Sequence, residues 1–196
     1  MQFAKEERAM TNKDKIVSFE DELLILVDEN DREIGWETKD VCHNGQGILH
    51  RAFSIFIFDD RKQLLLQKRS AQKRLWPLYW SNSCCSHPRK GESYQFATAR
   101  RLEEELGLKT PLQYLYKFKY QALFGDLGAE HELCSVYIGK TDQAPKVNRT
   151  EIDDWKFISI DALNAQMKAQ PENFTPWFKM EWDHMLQHYK VTILSL

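Results

Sequence analysis

Three stretches of the chain hold residues able to do chemistry. His43 and His50 stand seven apart, and His87 follows Cys85 by two positions. Glu130 and Glu132 fall on one face of an extended strand, because side chains alternate along β-structure. His131 then points to the other face as a bystander. Imidazole and carboxylate are metal ligands, although each of these histidines alone is also an ordinary polar residue. A free thiol titrates near about 8.5, so Cys85 can give a proton or take one. The alternative for Cys85 is a small buried hydrophobe. A further group, Glu103, Glu104 and Glu105, crowds the C-terminal end of a helix, where carbonyl partial charge already disfavours anions. Either Arg100 and Arg101 answer a solvated acidic face, or the carboxylates hold a divalent cation.

These residues need elements to carry them. Leu23–Val27 and Arg32–Trp36 flank a polar break and predict a hairpin. His50–Phe58 alternates as a strand, Asp59–Lys62 is a turn, and Gln63–Arg69 is the partner strand. Trp76–Pro88 reads as irregular. A helix is expected over Glu92–Leu106, with Phe96, Ala99, Leu102 and Leu106 on its inner face and Gly107 as its stop. Strands are expected over Tyr114–Tyr120, Glu132–Ile138 and Trp155–Ile158, and helices over Asp161–Gln170 and Pro176–Tyr189. The order is that of one α+β domain over residues 19–196, with its core at about 50–180, behind a polar extension at residues 1–18.

Composition narrows the function. Apolar residues make up 42% of the chain, enough for a core and too many for a disordered segment. A net charge of −2 argues against a nucleic-acid coat. No apolar run approaches the roughly 20 residues of a membrane span, and the charged N-terminus is no secretory signal. Four cysteines, two of them adjacent, do not form a disulfide framework. A cytoplasmic protein is the expectation, and a monomer is favoured.

Ser86, Glu92, Arg100-Arg101-Leu102, Glu104-Glu105-Leu106 and Gly107 stand at the spacing of a Nudix box, which resembles the metal–diphosphate loop–helix–loop of that family. Ser86 replaces the usual Gly, and Arg101 replaces the glutamate that serves the metal cluster of Nudix hydrolases. The wider string His43, His50-Arg51-Ala52-Phe53, Asn82-Ser83-Cys84-Cys85-Ser86-His87-Pro88, Gly91-Glu92 and Glu130-His131-Glu132 resembles type I isopentenyl-diphosphate isomerases. That likeness runs from about Leu24 to Trp177.

The resemblance implies a Nudix fold with mixed β-sheets sandwiched by α-helices. It implies interconversion of isopentenyl and dimethylallyl diphosphate through a carbocation-like intermediate, in isoprenoid biosynthesis. His43, His50, His87, Glu130 and Glu132 would bind one metal, and such a donor set suits Zn²⁺ or Mn²⁺. Mg²⁺ would bridge the diphosphate to Glu105. Cys85 and Glu132 would be the proton-transfer pair, with Tyr120 assisting. Trp177 would face the cation, and Lys39, Arg69, Lys73 and Arg101 would hold the diphosphate. The partner is then a small molecule. Hydrolysis of a nucleoside diphosphate derivative is the alternative activity, weakened by Arg101. Cys84 is expected to be structural, Cys42 and Cys134 have no assigned place, and His184 and His188 are expected at the surface.

Overall fold

The computed structural model describes residues 15–196. Most of the expected N-terminal extension lies outside them, but its last part is docked. Val17 is buried, and its carbonyl accepts from Arg101 Nη1 at 2.8 Å and Arg89 Nη2 at 3.1 Å.

Strand β3 (His50–Phe58) organises the molecule. Ala52, Phe56 and Phe58 enter one core while Phe53, Ile55 and Ile57 enter another. A fully buried Phe or Ile contributes about 1.5–3 kcal/mol. A one-residue slip would exchange the two faces, so these positions fix the register. On one side β3 runs parallel to β8 (Ala129–Lys140), pairing His50 with Glu132. On the other, β6 (Cys84–Ser86) runs antiparallel and sets Cys85 opposite Ser54. The segment expected to be irregular thus contains β6, as well as a two-residue strand at Trp80–Ser81. Three residues are too few to show a period, and their ladder partner is distant in sequence.

The expected hairpin forms as β1 (Leu23–Val27) and β2 (Glu33–Thr38). A one-turn helix, α1 (Lys39–Cys42), follows. Strand β4 (Leu64–Arg69) pairs with β5 (Trp80–Ser81) and β9 (Ile152–Ile158). Strand β7 (Leu112–Leu123) pairs with β8 as a long hairpin that outruns the expected strands.

Helix α2 (Tyr94–Leu106) packs Ala97, Leu102 and Leu106 into the second core. Ser93 caps its start and Gly107, at φ 63°, ends it. The expected inner face is rotated, because Phe96 and Ala99 are exposed whereas Arg101 and Glu105 are buried. A buried ion pair, invisible to hydrophobic periodicity, occupies part of the stripe. Helices α3 (Ile160–Ala169), α4 (Pro176–His188) and α5 (Lys190–Ser195) follow, and α4 packs Trp177, Phe178, Trp182 and Met185 into the first core. Sheet with helices on both faces is the expected α+β arrangement. Among the described residues, no helix is long and apolar enough to cross a membrane.

Candidate active site

Five side chains converge where β3, β6 and β8 meet α1. One donor atom from each of His43, His50, His87, Glu130 and Glu132 lies within 4.8 Å of all the others. They come from four places, each for a local reason. His43 ends α1, His50 opens β3, His87 follows β6, and the two glutamates occupy alternate positions of β8. Gly128 makes the approach possible. At φ +143° its missing Cβ would stand 2.2 Å from the His43 carbonyl, which also accepts from Ala129 N at 3.0 Å.

The backbone orients the rings. His43 Nδ1 lies 2.7 Å from Lys39 O, and His50 Nδ1 lies 2.7 Å from Ile48 O. A carbonyl only accepts, so both Nδ1 atoms carry hydrogen and each neutral ring presents an Nε2 lone pair. His50 Nε2 and Glu130 Oε2 have no hydrogen-bond partner. Buried orphan donors of this kind fit a divalent cation, the group that would satisfy all five. Burial pushes His87 well below its ordinary pKa and His50 down to about 3, with neighbouring imidazoles adding to both shifts. Burial opposes charge on His43, but the adjacent Glu130 outweighs it and raises His43. Burial and then Glu130 lift Glu132 well above the carboxylate range, and a bound cation would reverse that shift.

The cluster opens on a cavity of about 490 Å³ that Cys85, Tyr120, Glu132 and Trp177 also line. Tyr120 OH donates to Glu132 Oε2 at 2.7 Å, and His87 Nε2 lies 2.9 Å from Glu132 Oε1. Burial pushes the Cys85 thiol up to about 12, against the pull of Arg69, whose Nη1 lies 3.9 Å from the sulfur. Cys85 therefore carries its proton at neutral pH. Cys84, next to it, faces the opposite core. Trp177 is buried, with Nε1 donating to Ser81 Oγ at 3.1 Å and the Arg69 guanidinium 5.2 Å from its ring.

The four basic residues also line this cavity. Arg69 donates to the carbonyls of Trp76 and Leu75 at 3.0 and 2.9 Å. Lys39 donates to Ser18 Oγ at 2.7 Å, and burial with nearby Lys73 depresses its pKa. Arg101 closes on Glu105 Oε1 at 2.5 Å and Glu151 Oε2 at 3.1 Å. Glu105 thus meets Arg101 and stands apart from the five-donor cluster. Glu103 pairs with Lys109 at 2.8 Å and Glu104 with Arg100 at 3.1 Å, so every carboxylate at this helix end has a cation.

His131 faces away, toward Gly47 O at 3.3 Å. His184 and His188 lie on α4 with tilted rings whose centroids are 4.4 Å apart; His188 is exposed, whereas His184 is half-buried against Tyr116. Sequence reasoning missed Glu151 and Glu181. Glu181 is buried beside Cys134, with burial raising it to about 8. A glutamate inside the stripe Trp177, Phe178, Trp182 and Met185 is a readable anomaly. Glu151 sits in a loop and gives no such signal.

The NUDIX domain model matches residues 48–178. A Deinococcus radiodurans crystal structure superposes with a TM-score of 0.63 at 23% identity, covering 76% of this chain and 90% of that one, which bears out the fold. Isopentenyl-diphosphate Delta-isomerase 1 of Photorhabdus laumondii is 44% identical over 86% of this chain and 97% of its own length. The chain belongs to the isopentenyl-diphosphate Delta-isomerase family. The isopentenyl-diphosphate Delta-isomerase of Serratia proteamaculans is 47% identical over 81% of this chain and 88% of its own length. Of the two box positions that depart from the usual pattern, Arg101 is buried and Ser86 is half-buried.

Proposed function

We propose that this chain interconverts isopentenyl diphosphate and dimethylallyl diphosphate, an intramolecular transposition of a C=C bond that serves isoprenoid synthesis in the cytoplasm. The observation that carries this reading is one cavity lined both by a thiol, Cys85, and by a tyrosine-bonded carboxyl group, Glu132.

The reaction adds a proton at C4, leaves a tertiary cation at C3 and removes a proton from C2. One hydrogen enters and one leaves, so an acid and a base are both required. Cys85 and Glu132 come from β6 and β8, the strands that flank β3 on opposite sides. Cys85, held as a thiol by burial, gives the first proton. Glu132 takes the second, and the Tyr120 hydroxyl holds its Oε2 in place. The reverse direction exchanges their roles. Trp177 lies against the cation with its π face and excludes water, which would otherwise capture the cation as an alcohol.

Lys39, Arg69, Lys73 and Arg101 hold the diphosphate. His43, His50, His87, Glu130 and Glu132 would hold Zn²⁺ or Mn²⁺, and Glu105 would be the protein ligand of Mg²⁺. When bound, these ions keep Glu132 ionised and neutralise phosphate charge. Hydrolysis of a nucleoside diphosphate derivative is disfavoured, because a guanidinium closed on Glu105 and Glu151 stands where a hydrolase needs a ligand.

The test is proton NMR of purified protein with isopentenyl diphosphate, Mg²⁺ and Zn²⁺ or Mn²⁺. The dimethylallyl methyl signals should grow without phosphate release. Free phosphate, or nucleoside monophosphate from a nucleotide panel, with no methyl signal would replace the isomerase with the hydrolase.

A further inference from the structure

The basic end of the cavity contains a carboxylate that the mechanism above does not use. Glu151 is 3% exposed, lies just before β9 and lines the cavity. Its Oε2 accepts from Lys73 Nζ and, at 3.1 Å, from Arg101 Nη2. Its backbone serves the same neighbourhood. Ser70 N donates to Glu151 O at 2.9 Å, and Lys73 N donates to Ser70 O at 3.1 Å. One residue therefore ties the segment after β4 to helix α2.

A buried carboxylate is costly unless cations and hydrogen bonds compensate it. Here two cations outweigh burial and hold Glu151 down to about 2, so it stays an anion at working pH. Lysine carries three donors on a flexible stem. One donor given to Glu151 fixes that stem and leaves the others free for phosphate oxygens. Arg101 is held in the same way, by Glu105 on one side and Glu151 on the other. Without the anion between them, Lys73 and Arg101 would repel each other.

We propose that Glu151 is a positioning residue for diphosphate recognition, aiming Lys73 and Arg101 at the phosphate oxygens before the substrate arrives. This rests on the isomerase reading. Two opposing effects act on binding: the carboxylate repels the diphosphate, and it pre-orders two cations. Its charge is already matched by two bonded cations, so the ordering dominates.

The experiment compares wild type, Glu151→Gln and Glu151→Asp for steady-state kinetics on isopentenyl diphosphate and for inhibition by inorganic pyrophosphate. Loss of a charge-assisted pair should raise KM and the pyrophosphate inhibition constant together in Glu151→Gln, roughly tenfold, with kcat within about twofold. Glu151→Asp keeps the charge and should recover part of both. A residue that only stabilised the fold would lower the melting temperature and active fraction and leave the inhibition constant unmoved. Unchanged or tighter pyrophosphate inhibition in Glu151→Gln overturns the assignment. If that variant does not fold, Glu151→Asp carries the test: a parallel, smaller rise in both constants supports the role, and unmoved constants overturn it. Active wild type with unmoved variants removes the Glu151 role alone, whereas wild type that neither turns over nor binds pyrophosphate removes the isomerase reading with it.

Discussion

His43 Nε2 and Glu130 Oε2 lie 2.8 Å apart, while His43 Nδ1 donates to the Lys39 carbonyl. Two lone pairs at that distance repel unless a proton or a metal ion shares them. His50 Nε2, which has no hydrogen-bond partner, stands 3.9 Å from Glu132 Oε1. The five side chains form a cluster that could hold a divalent cation.

Chelation should therefore abolish turnover, and Zn²⁺ or Mn²⁺ should restore it. An ion present at 100–1,000 times its dissociation constant stabilises the fold by about 3–4 kcal/mol. The chelated protein should melt several degrees lower by calorimetry, and His50→Gln should show the same loss. A chelator that leaves both activity and melting temperature untouched contradicts this.

Cys85→Ala should lower kcat by about 10²–10⁴-fold with little change in KM. Because burial holds the thiol near about 12, iodoacetamide should label Cys85 slowly at pH 7 and much faster toward pH 11. Mass spectrometry of the labelled peptide checks this. Rapid labelling at neutral pH would mean that the resting residue is a thiolate.

Glu181 sets a pH dependence of stability. Its folded pKa of about 8 lies above its ordinary 4.5, so the folded protein keeps a proton that the unfolded chain has lost. Its effect on stability is absent below pH 4.5, and stability is then lost progressively up to about pH 8, by about 5 kcal/mol in order of magnitude. Glu181→Gln should therefore be more stable than wild type in urea unfolding at pH 9, and the gap should close near pH 4.5. An equal gap at both pH values removes the buried-acid reading.

Trp177→Phe keeps an aromatic wall but loses the bond to Ser81. Its turnover should fall modestly. Trp177→Ala opens the slot to water and should yield some tertiary alcohol diphosphate beside the alkene products, detectable by mass spectrometry. It should also cost about 3–5 kcal/mol of stability as a core truncation.

The convergence of Cys85, His87, Glu130 and Glu132 was legible because they lie in short motifs: the Asn82–Pro88 segment and the Glu130/Glu132 pair. Strand β3 was legible through its period-two alternation. The inner face of α2 was not, since Arg101 and Glu105 occupy positions that periodicity reserves for apolar side chains. Glu151 stayed hidden because its partners, Arg101 and Lys73, lie 50 and 78 residues away. Strand β6 was too short to announce itself, and only its ladder with β3 turns Cys85 toward the cavity.

Deuterium uptake in heavy water tests the central claim most directly. With isopentenyl diphosphate as substrate, the isomerase reading predicts deuterium in a methyl group of dimethylallyl diphosphate and, as the reaction reverses, at C2 of recovered isopentenyl diphosphate. Both labels should vanish in Glu132→Gln. Conversion without solvent deuterium, or label that persists when Glu132 is neutralised, would contradict a proton given and taken by Cys85 and Glu132.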